Sequence, residues 1–229
     1  MRMTALCLFL SVSLWAAGKE TVDNTHRLEA SAAVFREIMA TPDKGIPQDL
    51  LDKARCAVIV PSLKQGAFLI GAKYGVGYMS CRKANGMGWT GPAAVRIEGG
   101  SFGFQIGGSE TDVVMLVMNE EGVKDLLSDK FTLGGEGDVA AGPVGRAVTA
   151  QTDAQLAAKI LSWSRSHGVF AGVALTGATL RQDLDDNQAI YGKRLTNREI
   201  LMGNQATPQA AKTLVSLLDQ YSPRKESAS

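Results

Sequence analysis

Apolar residues recur at helical spacing in the segment from residue 25 to residue 40. One helical face carries the apolar positions, which are Leu28, Ala32, Phe35 and Met39. Charged side chains, among them Arg27 and Arg36, fall on the other side. The spacing predicts an amphipathic helix that ends before Pro42, because the residue before a proline is disfavoured in the α conformation. Its apolar face can pack on the rest of the fold, or it can meet a membrane surface or a partner.

The middle of the chain shows the apolar alternation of β-strands, interrupted by many glycines. Residues 86–108 hold eight glycines, and Phe102, Phe104 and Ile106 alternate among them at period two. Two apolar runs separated by Glu98-Gly99-Gly100 predict a β-hairpin with its turn at these glycines. Further strands are predicted by the apolar runs at 56–61, which Pro61 ends, and at 67–78, 111–118, 156–163 and 169–180.

Helical patterns return in the last part of the chain and flank the strands. A short helix with Asn119 as its cap is predicted over 120–127, and C-terminal helices are predicted over 183–191, 197–202 and 208–221. This order predicts an α+β fold with a largely antiparallel sheet, an N-terminal amphipathic helix and C-terminal helices. The concentration of glycine predicts that the sheet is strongly twisted or barrel-like.

The first residues form a separate unit. An apolar run at 6–17 with small residues at Ala16 and Gly18 predicts a secretory signal peptide over 1–18, and an uncleaved N-terminal anchor is the alternative. Residues 19–222 are then expected to form a single domain, followed by a flexible tail at 223–229. The protein is expected to be exported, periplasmic or secreted, and peripheral on any membrane that it binds.

Composition and charge exclude several function classes. An apolar content of 45% and a charged content of 21% over 229 residues are typical of a globular domain. Without Arg2, which belongs to the predicted leader, the chain holds 23 basic and 23 acidic residues. This balance argues against nucleic acid as a partner. Outside the leader, Cys56 and Cys81 remain, and they can either pair or be buried separately.

Candidate catalytic and metal motifs are weak. Ser101 lies in a G-x-S-x-G pattern, but it enters a predicted strand, whereas a nucleophile elbow needs a strand-to-helix turn. Residues 135–140 match a loose dinucleotide pattern that Pro143 interrupts. Asp183 is better explained as a helix cap than as a calcium ligand. No catalytic residue, metal site or cofactor is therefore predicted.

Basic residues flank the apolar strands. These residues are Lys64, Lys73, Arg82, Lys83, Arg96 and Arg146. Each is expected to be a solvated strand end when taken alone. If several lie on one face of the protein, they can bind phosphorylated headgroups.

Motifs in a fixed order resemble the SYLF domain family, lipid-binding domains that are described in fungi as actin-regulating and that include the Las17-binding proteins. The resemblance extends from about residue 28 to residue 191. Its pieces include Ala57-Val58-Ile59-Val60-Pro61, Gly88-Trp89-Thr90-Gly91-Pro92, Gly103-Phe104-Gln105-Ile106-Gly107, Ala141-Gly142-Pro143-Val144-Gly145-Arg146, and Ser162-Trp163-Ser164 with Gly168-Val169-Phe170-Ala171-Gly172. The order and spacing of these pieces make the resemblance specific.

The resemblance implies a non-enzymatic domain that binds phospholipids at a membrane surface, with phosphoinositides preferred by eukaryotic members. The N-terminal amphipathic helix of the family corresponds to residues 25–40. The predicted lipid-binding residues are Arg27, Leu28, Phe35, Arg36, Met39, Lys64, Lys73, Arg82, Arg96 and Arg146. The expected partners are an anionic phospholipid membrane and an envelope protein. Actin is not expected, because this sequence shows neither the SH3 nor the FYVE module of eukaryotic members. The alternative is an envelope structural or protein-interaction module that does not bind lipid.

Overall fold

A central sheet carries helices on both of its faces in the computed structural model of the chain. The structure describes residues 6–41, 45–68, 70–102, 107–128, 130–134, 138–145, 157–166, 169–172, 175, 177–203 and 205–223. The predicted α+β class is confirmed, and the sheet is strongly curled in the manner of a half-barrel.

Nine described strands form one sheet. They are β1 (Cys56–Phe68), β2 (Ile70–Cys81), β3 (Ala93–Phe102), β4 (Gly107–Val117), β5 (Phe131–Thr132), β6 (Val139–Ala141), β7 (Ile160–Ser166), β8 (Val169–Gly172) and β9 (Ala178–Gln182). The order across the sheet is β5-β9-β3-β2-β1-β4-β7-β6, and β8 also pairs with β7. Among these strands only β6 and β7 run parallel, so the sheet is largely antiparallel as predicted.

Helices precede, interrupt and follow the strands. They are α1 (Leu6–Met39), α2 (Gln48–Lys53), α3 (Glu120–Leu126), α4 (Leu184–Tyr191), α5 (Asn197–Leu201) and α6 (Lys212–Tyr221), with a 3-10 turn at Gln209–Ala211. The side chain of Asn119 caps α3, and Thr196 and Glu199 form a capping box at α5. No helix in the described part of the chain is both long and apolar enough to cross a bilayer.

Both faces of the sheet are covered by helices. Successive residues of a strand point to opposite faces, so Ile59 packs with α1, α2 and α6, whereas Val58 packs with α3 and α5. The same alternation divides Leu116 from Met115 in β4. Burial on both faces explains why these strands are continuous apolar runs in the sequence.

The helix α1 lies across the strands. Near its middle, Asn24 and Arg27 bind Asp186 of α4, at the side of the sheet where β3 and β9 lie. Near its end, Glu37 forms an ion pair with Arg165 of β7, on the other side of β1 and β2. The helix therefore covers one part of this face of the sheet, and the strands extend beyond the helix on one side. The backbone of α1 continues through the predicted leader, whose cleavage stays a prediction.

The predicted hairpin at residues 98–100 is wrong. Residues 93–102 form the single strand β3, which pairs with β2 and β9. A β-carbon at Gly99 would lie 3.0 Å from the Cα of Ala178 in β9. This glycine therefore permits the close approach of a neighbouring strand and does not form a turn. The predicted alternation at Phe104 and Ile106 lies outside the described residues.

Two other strand boundaries differ from the predictions. The apolar run at 169–180 is divided into β8 and β9. Pro61 does not end β1, because the strand passes through this proline and continues to Phe68. A register shift between Val60 and Leu63 marks a bulge there, and a bulge is one of the few positions within a sheet that accepts a proline.

A disulfide joins Cys56 to Cys81 and answers the question that the sequence leaves open. The two residues are direct partners in the register between β1 and β2. They are at the opposite end of this strand pair from Phe68 and Ile70. The disulfide therefore fixes one end of the β1–β2 pair beneath the helices.

Candidate functional site

Three of the predicted lipid contacts lie on the apolar face of α1. Leu28 is 1% exposed and Phe35 is 0% exposed, because both belong to the core between α1 and the sheet. The ring of Phe35 meets the ring of Tyr221 edge-on, with 5.9 Å between the centroids. Met39 is half-buried against the same core. The apolar face packs on the fold, so lipid contact by these side chains stays a prediction that requires α1 to leave the sheet.

Arg82 is enclosed by the protein. Its guanidinium donates to the carbonyl oxygens of Leu51, Ala54 and Ser222, and it lies over the ring of Trp89 at 4.1 Å from the centroid. The residue is only 8% exposed. Arg82 is therefore not available to a headgroup in this conformation.

The other predicted basic residues do not form one group. Arg96 makes ion pairs with Glu98 and Asp183. Arg36 is exposed on α1, whereas Lys73 is partly exposed in β2. Arg146 lies outside the described residues.

Arg27 and Lys64 are the two predicted site residues that the structure brings to one place. They line a cleft of about 370 Å³ between α1 and the sheet. We refer to it as the α1 cleft, and its other lining residues are His26, Ala30, Pro61, Ser62, Tyr74, Gly75, Val76 and Glu110. The cleft opens beside the part of the sheet that extends beyond α1.

A partly buried hydrogen-bond network holds the α1 side of the cleft. Asn24 donates to Asp186 at 2.8 Å, and the Arg27 guanidinium donates to the same carboxylate at 3.0 Å. The Tyr78 hydroxyl donates to the side-chain oxygen of Asn24 at 2.7 Å. Burial raises the pKa of Tyr78, so the hydroxyl keeps its proton for this bond, and burial also raises the pKa of Asp186. The network fixes Arg27 at the rim of the cleft.

The bulge in β1 forms the opposite wall. Ser62 has a φ of 55°, in the left-handed region that residues with side chains seldom adopt. Its N–H donates to Asp112 at 3.0 Å, and Asp112 also accepts from Arg165 at 2.6 Å. Burial raises the pKa of Asp112. Because Arg165 also pairs with Glu37 of α1, the bulge and the helix are tied to one another.

The cleft offers groups that suit a phosphate. The side chain of Lys64 is exposed and has no ion-pair partner among the described residues. Nη1 of Arg27 donates to Asn24 and to Asp186, and the guanidinium lines the cleft beside Lys64. Tyr74, opposite Lys64 in the β1–β2 register, is 51% exposed. Glu110, opposite Lys64 on the other strand, is the carboxylate at the rim.

The sequence patterns did not identify His26, Ser62, Tyr74 or Glu110 as site residues. His26 and Tyr74 are next in sequence to the predicted residues Arg27 and Lys73, but sequence adjacency does not show which side chains converge. Tyr74 and Lys64 meet only because of the register between β1 and β2. Proline at the bulge is the one signal in the sequence that could have indicated an irregular wall.

The weak catalytic motifs have structural explanations. Ser101 lies within β3, where its backbone pairs with Gly71 of β2, and not at a strand-to-helix turn. Asp183 caps α4 by accepting from the N–H of Asp186 at 3.2 Å, as predicted.

Comparison with known proteins gives a consistent assignment. A family model described as Ysc84, Las17-binding protein actin regulator, matches residues 98–221. The human SH3 domain-containing YSC84-like protein 1 is 32% identical over 195 residues, which cover 84% of this chain and 56% of the human protein. Protein YSC84 of Saccharomyces cerevisiae is 33% identical over 180 residues, which cover 77% of this chain and 38% of the yeast protein.

The matches cover most of this chain but only part of each relative. The chain spans about half the length of the vertebrate relatives that it matches, and a smaller share of the yeast proteins. The matched region covers most of this chain and includes the strands that form the sheet. The chain therefore belongs to the SYLF family, the family of the Ysc84 and Las17-binding proteins, as its sequence motifs predict.

Proposed function

We propose that this protein binds anionic phospholipids at a membrane surface, without catalysis, and that the α1 cleft receives the phosphate of the headgroup. The observation that carries the proposal is the convergence of Arg27 and Lys64 in one cleft, although they lie on different elements. Lipid binding is also what the family resemblance implies. Phosphoinositides are one class of anionic headgroup that such a cleft would accept.

The electrostatics of the cleft favour contact of an anion with Lys64 over contact with Arg27. Lys64 contributes an exposed ammonium, and the charge of Arg27 is shared with Asp186 at 3.0 Å. Glu110 opposes an anion at the rim. A headgroup phosphate is therefore proposed to gain most from Lys64. Attraction between the basic groups and a negatively charged leaflet adds to this local contact.

The proposed site does not include three of the residues predicted from the sequence as lipid contacts. Leu28 and Phe35 hold α1 on the sheet, and Arg82 holds the ends of helices together. The membrane contact is therefore proposed for the rim of the cleft rather than for the apolar face of the helix. The protein is further proposed to be exported and to act in the cell envelope.

Reversing the charge at Lys64 tests the proposal. Lys64→Glu is expected to weaken binding to vesicles of phosphatidylcholine with phosphatidylglycerol about 10-fold or more, because each basic group near an anionic surface contributes about 1 kcal/mol. Binding is measured by co-sedimentation over a range of lipid concentrations. Lys64 is exposed, so the variant is expected to keep its fold.

Lys124→Glu is the matched control, because Lys124 is an exposed lysine of α3 on the other face of the sheet. It makes the same change of net charge, and it is expected to alter binding by less than about 2-fold. Equal losses in the two variants would show a non-specific effect of net charge. Unchanged binding by Lys64→Glu would remove the cleft from the proposal.

A protein partner is the second candidate, and the comparisons favour it. The matching family model is described by Las17 binding and actin regulation. A yeast relative, LAS seventeen-binding protein 3, is 33% identical over 180 residues. We therefore propose that a protein of the envelope can also bind this domain. The expectation that actin is not a partner stays a prediction.

A further inference from the structure

His26 is a lining residue of the α1 cleft whose charge depends on pH near neutrality. Histidine is the side chain whose ordinary titration falls between about pH 5 and pH 8. His26 is the neighbour of Arg27 on α1, and the two residues line the cleft together with Lys64. The headgroup phosphate is proposed to contact those two cations, and the imidazole beside them has no part in that proposal.

The imidazole lies at the mouth of the cleft. His26 and Ala30 are one helical turn apart on α1, and both line the cleft. The side chain of His26 is 74% exposed, so the ring borders both the cleft and the solvent. Across the cleft from α1 lie Ser62 and Lys64 of β1. A headgroup that enters the cleft to reach Lys64 therefore passes the imidazole.

The charged and titratable groups around His26 come from two helices and three strands. They are Asp23, Arg27 and Glu29 on α1, Asp186 on α4, Lys64 on β1, Tyr74 on β2 and Glu110 on β4. Glu29 pairs with the imidazole, with 3.7 Å between Nδ1 and the carboxylate oxygen, and its side chain is 64% exposed. A protonated imidazole donates from both ring nitrogens, so one nitrogen can face Glu29 while the other serves a phosphate.

Protonation of His26 doubles the net positive charge of the cleft lining. With a neutral imidazole, the lining holds two cations, Arg27 and Lys64, and one carboxylate, that of Glu110. The imidazolium adds a third cation. Because Asp186 pairs with Arg27 at 3.0 Å, the charge of His26 is a large part of what the cleft offers to an anion. A negatively charged leaflet also attracts protons, which favours the imidazolium at the membrane surface.

We infer that protonated His26 is a third ligand of the headgroup phosphate, and that the α1 cleft therefore binds anionic lipid more tightly at acidic than at neutral pH. The phosphate stabilises the imidazolium, so a bound proton and a bound headgroup favour one another. A phosphodiester keeps its negative charge throughout the range in which histidine titrates, so affinity rises as the pH falls through this range. The inference rests on the proposed function and adds a binding residue to the same site.

Co-sedimentation with vesicles of phosphatidylcholine and phosphatidylglycerol tests this inference at about pH 5.5 and about pH 7.5, at one ionic strength. The ratio of the affinities at the two pH values is expected to be about 5-fold larger in the unmodified protein than in His26→Gln. Carboxylates elsewhere in the protein contribute equally to both ratios, so the difference between the ratios reports His26. The side chain is exposed, and both proteins are expected to fold alike.

His26→Arg is the second variant, because it fixes a positive charge at the same position. It is expected to bind about 5-fold more tightly than the unmodified protein at the higher pH, and to have the small pH ratio of His26→Gln. A purely structural role of His26 would not produce this gain. The sequence holds two histidines, and His167 is the other one. His167→Gln is therefore the matched control, and it is expected to keep the pH ratio of the unmodified protein.

The outcomes separate this inference from the proposed function. If His26→Gln keeps the full pH ratio while the protein co-sediments with the vesicles, His26 is not a ligand and lipid binding stands. The same conclusion follows if His26→Arg gains nothing at the higher pH, or if His167→Gln loses the ratio instead. If the unmodified protein does not bind anionic vesicles at either pH, the proposed function and this inference both fail.

Discussion

Replacing Phe35 with alanine is expected to lower the free energy of unfolding by about 3–5 kcal/mol, the range measured for phenylalanine truncations in protein cores. Phe35 is 0% exposed and packs between the sheet and α6, where its ring meets that of Tyr221 at 5.9 Å. The loss combines the transfer free energy of the ring with the cavity that it leaves. Urea denaturation followed by circular dichroism measures the change.

Arg36→Ala is the control for this variant, since Arg36 is the next residue and its side chain is exposed. It is expected to change the free energy of unfolding by less than about 0.5 kcal/mol. A loss at Phe35 below about 1 kcal/mol would show that α1 does not depend on this contact and can leave the sheet at little cost. A charge at Phe35 would therefore reduce membrane binding by unfolding the protein, whatever its contact with lipid.

Replacing Arg82 with methionine is expected to lower the free energy of unfolding by about 3–5 kcal/mol, because it removes a buried charge from partners that stay buried. Arg82 donates at 2.6 Å to the carbonyl oxygen of Ser222, which follows α6, and at 3.2 Å to that of Leu51 in α2. Methionine keeps an apolar contact with Trp89 but donates no hydrogen bond. The carbonyl groups of Leu51 and Ser222 then lose the arginine donors and, within the described part of the chain, keep only the bonds from the Ala54 N–H at 3.2 Å and from Trp89 Nε1 at 3.4 Å.

Lys83→Met provides the comparison for Arg82, because Lys83 is the adjacent exposed cation. It is expected to change stability by less than about 0.5 kcal/mol. Thermal unfolding of both variants at one pH separates them. Equal and small losses would mean that the arginine contacts to Leu51 and Ser222 contribute little to the fold, and Arg82 would again be a candidate for headgroup binding.

The elements that depend on local pattern could be predicted from the sequence. The helical spacing around Phe35, the cap at Asn119 and the cap at Asp183 are properties of short segments, and the structure has all three. Apolar runs with both faces buried gave the central strands. The family assignment followed from motifs whose order is itself sequence information.

The elements that depend on pairing could not be predicted. Gly99 and Gly100 have the composition of a turn, but the approach of β9 to Gly99 keeps this segment in one strand. Pro61 suggests a strand end because the alternative, a bulge anchored by Asp112, needs a residue fifty positions away in sequence. The role of Arg82 likewise depends on Ser222, which only the tertiary fold brings near.

The candidate site could likewise be predicted from the sequence only in part. Arg27 and Lys64 could be proposed as basic residues near apolar elements, but their convergence requires α1 to lie across the sheet. Tyr74 completes the cleft through the register of β1 with β2. The sequence pattern of the apolar face of α1 fits membrane binding and core packing equally well, because a lipid surface and a protein core both accept Leu28 and Phe35. The packed structure distinguishes them by burial.

Hydrogen exchange with and without anionic vesicles tests the account most directly, because it reports α1 and the α1 cleft in one experiment. Residues 28–39 are expected to exchange slowly without lipid and to stay equally slow on vesicles. Residues 62–64 and 74–76 are expected to exchange more slowly when vesicles are added, because these parts of β1 and β2 line the α1 cleft, which meets the membrane. Faster exchange in residues 28–39 on vesicles, with no change in residues 62–64 and 74–76, would show that α1 leaves the core to bind lipid and would contradict the account.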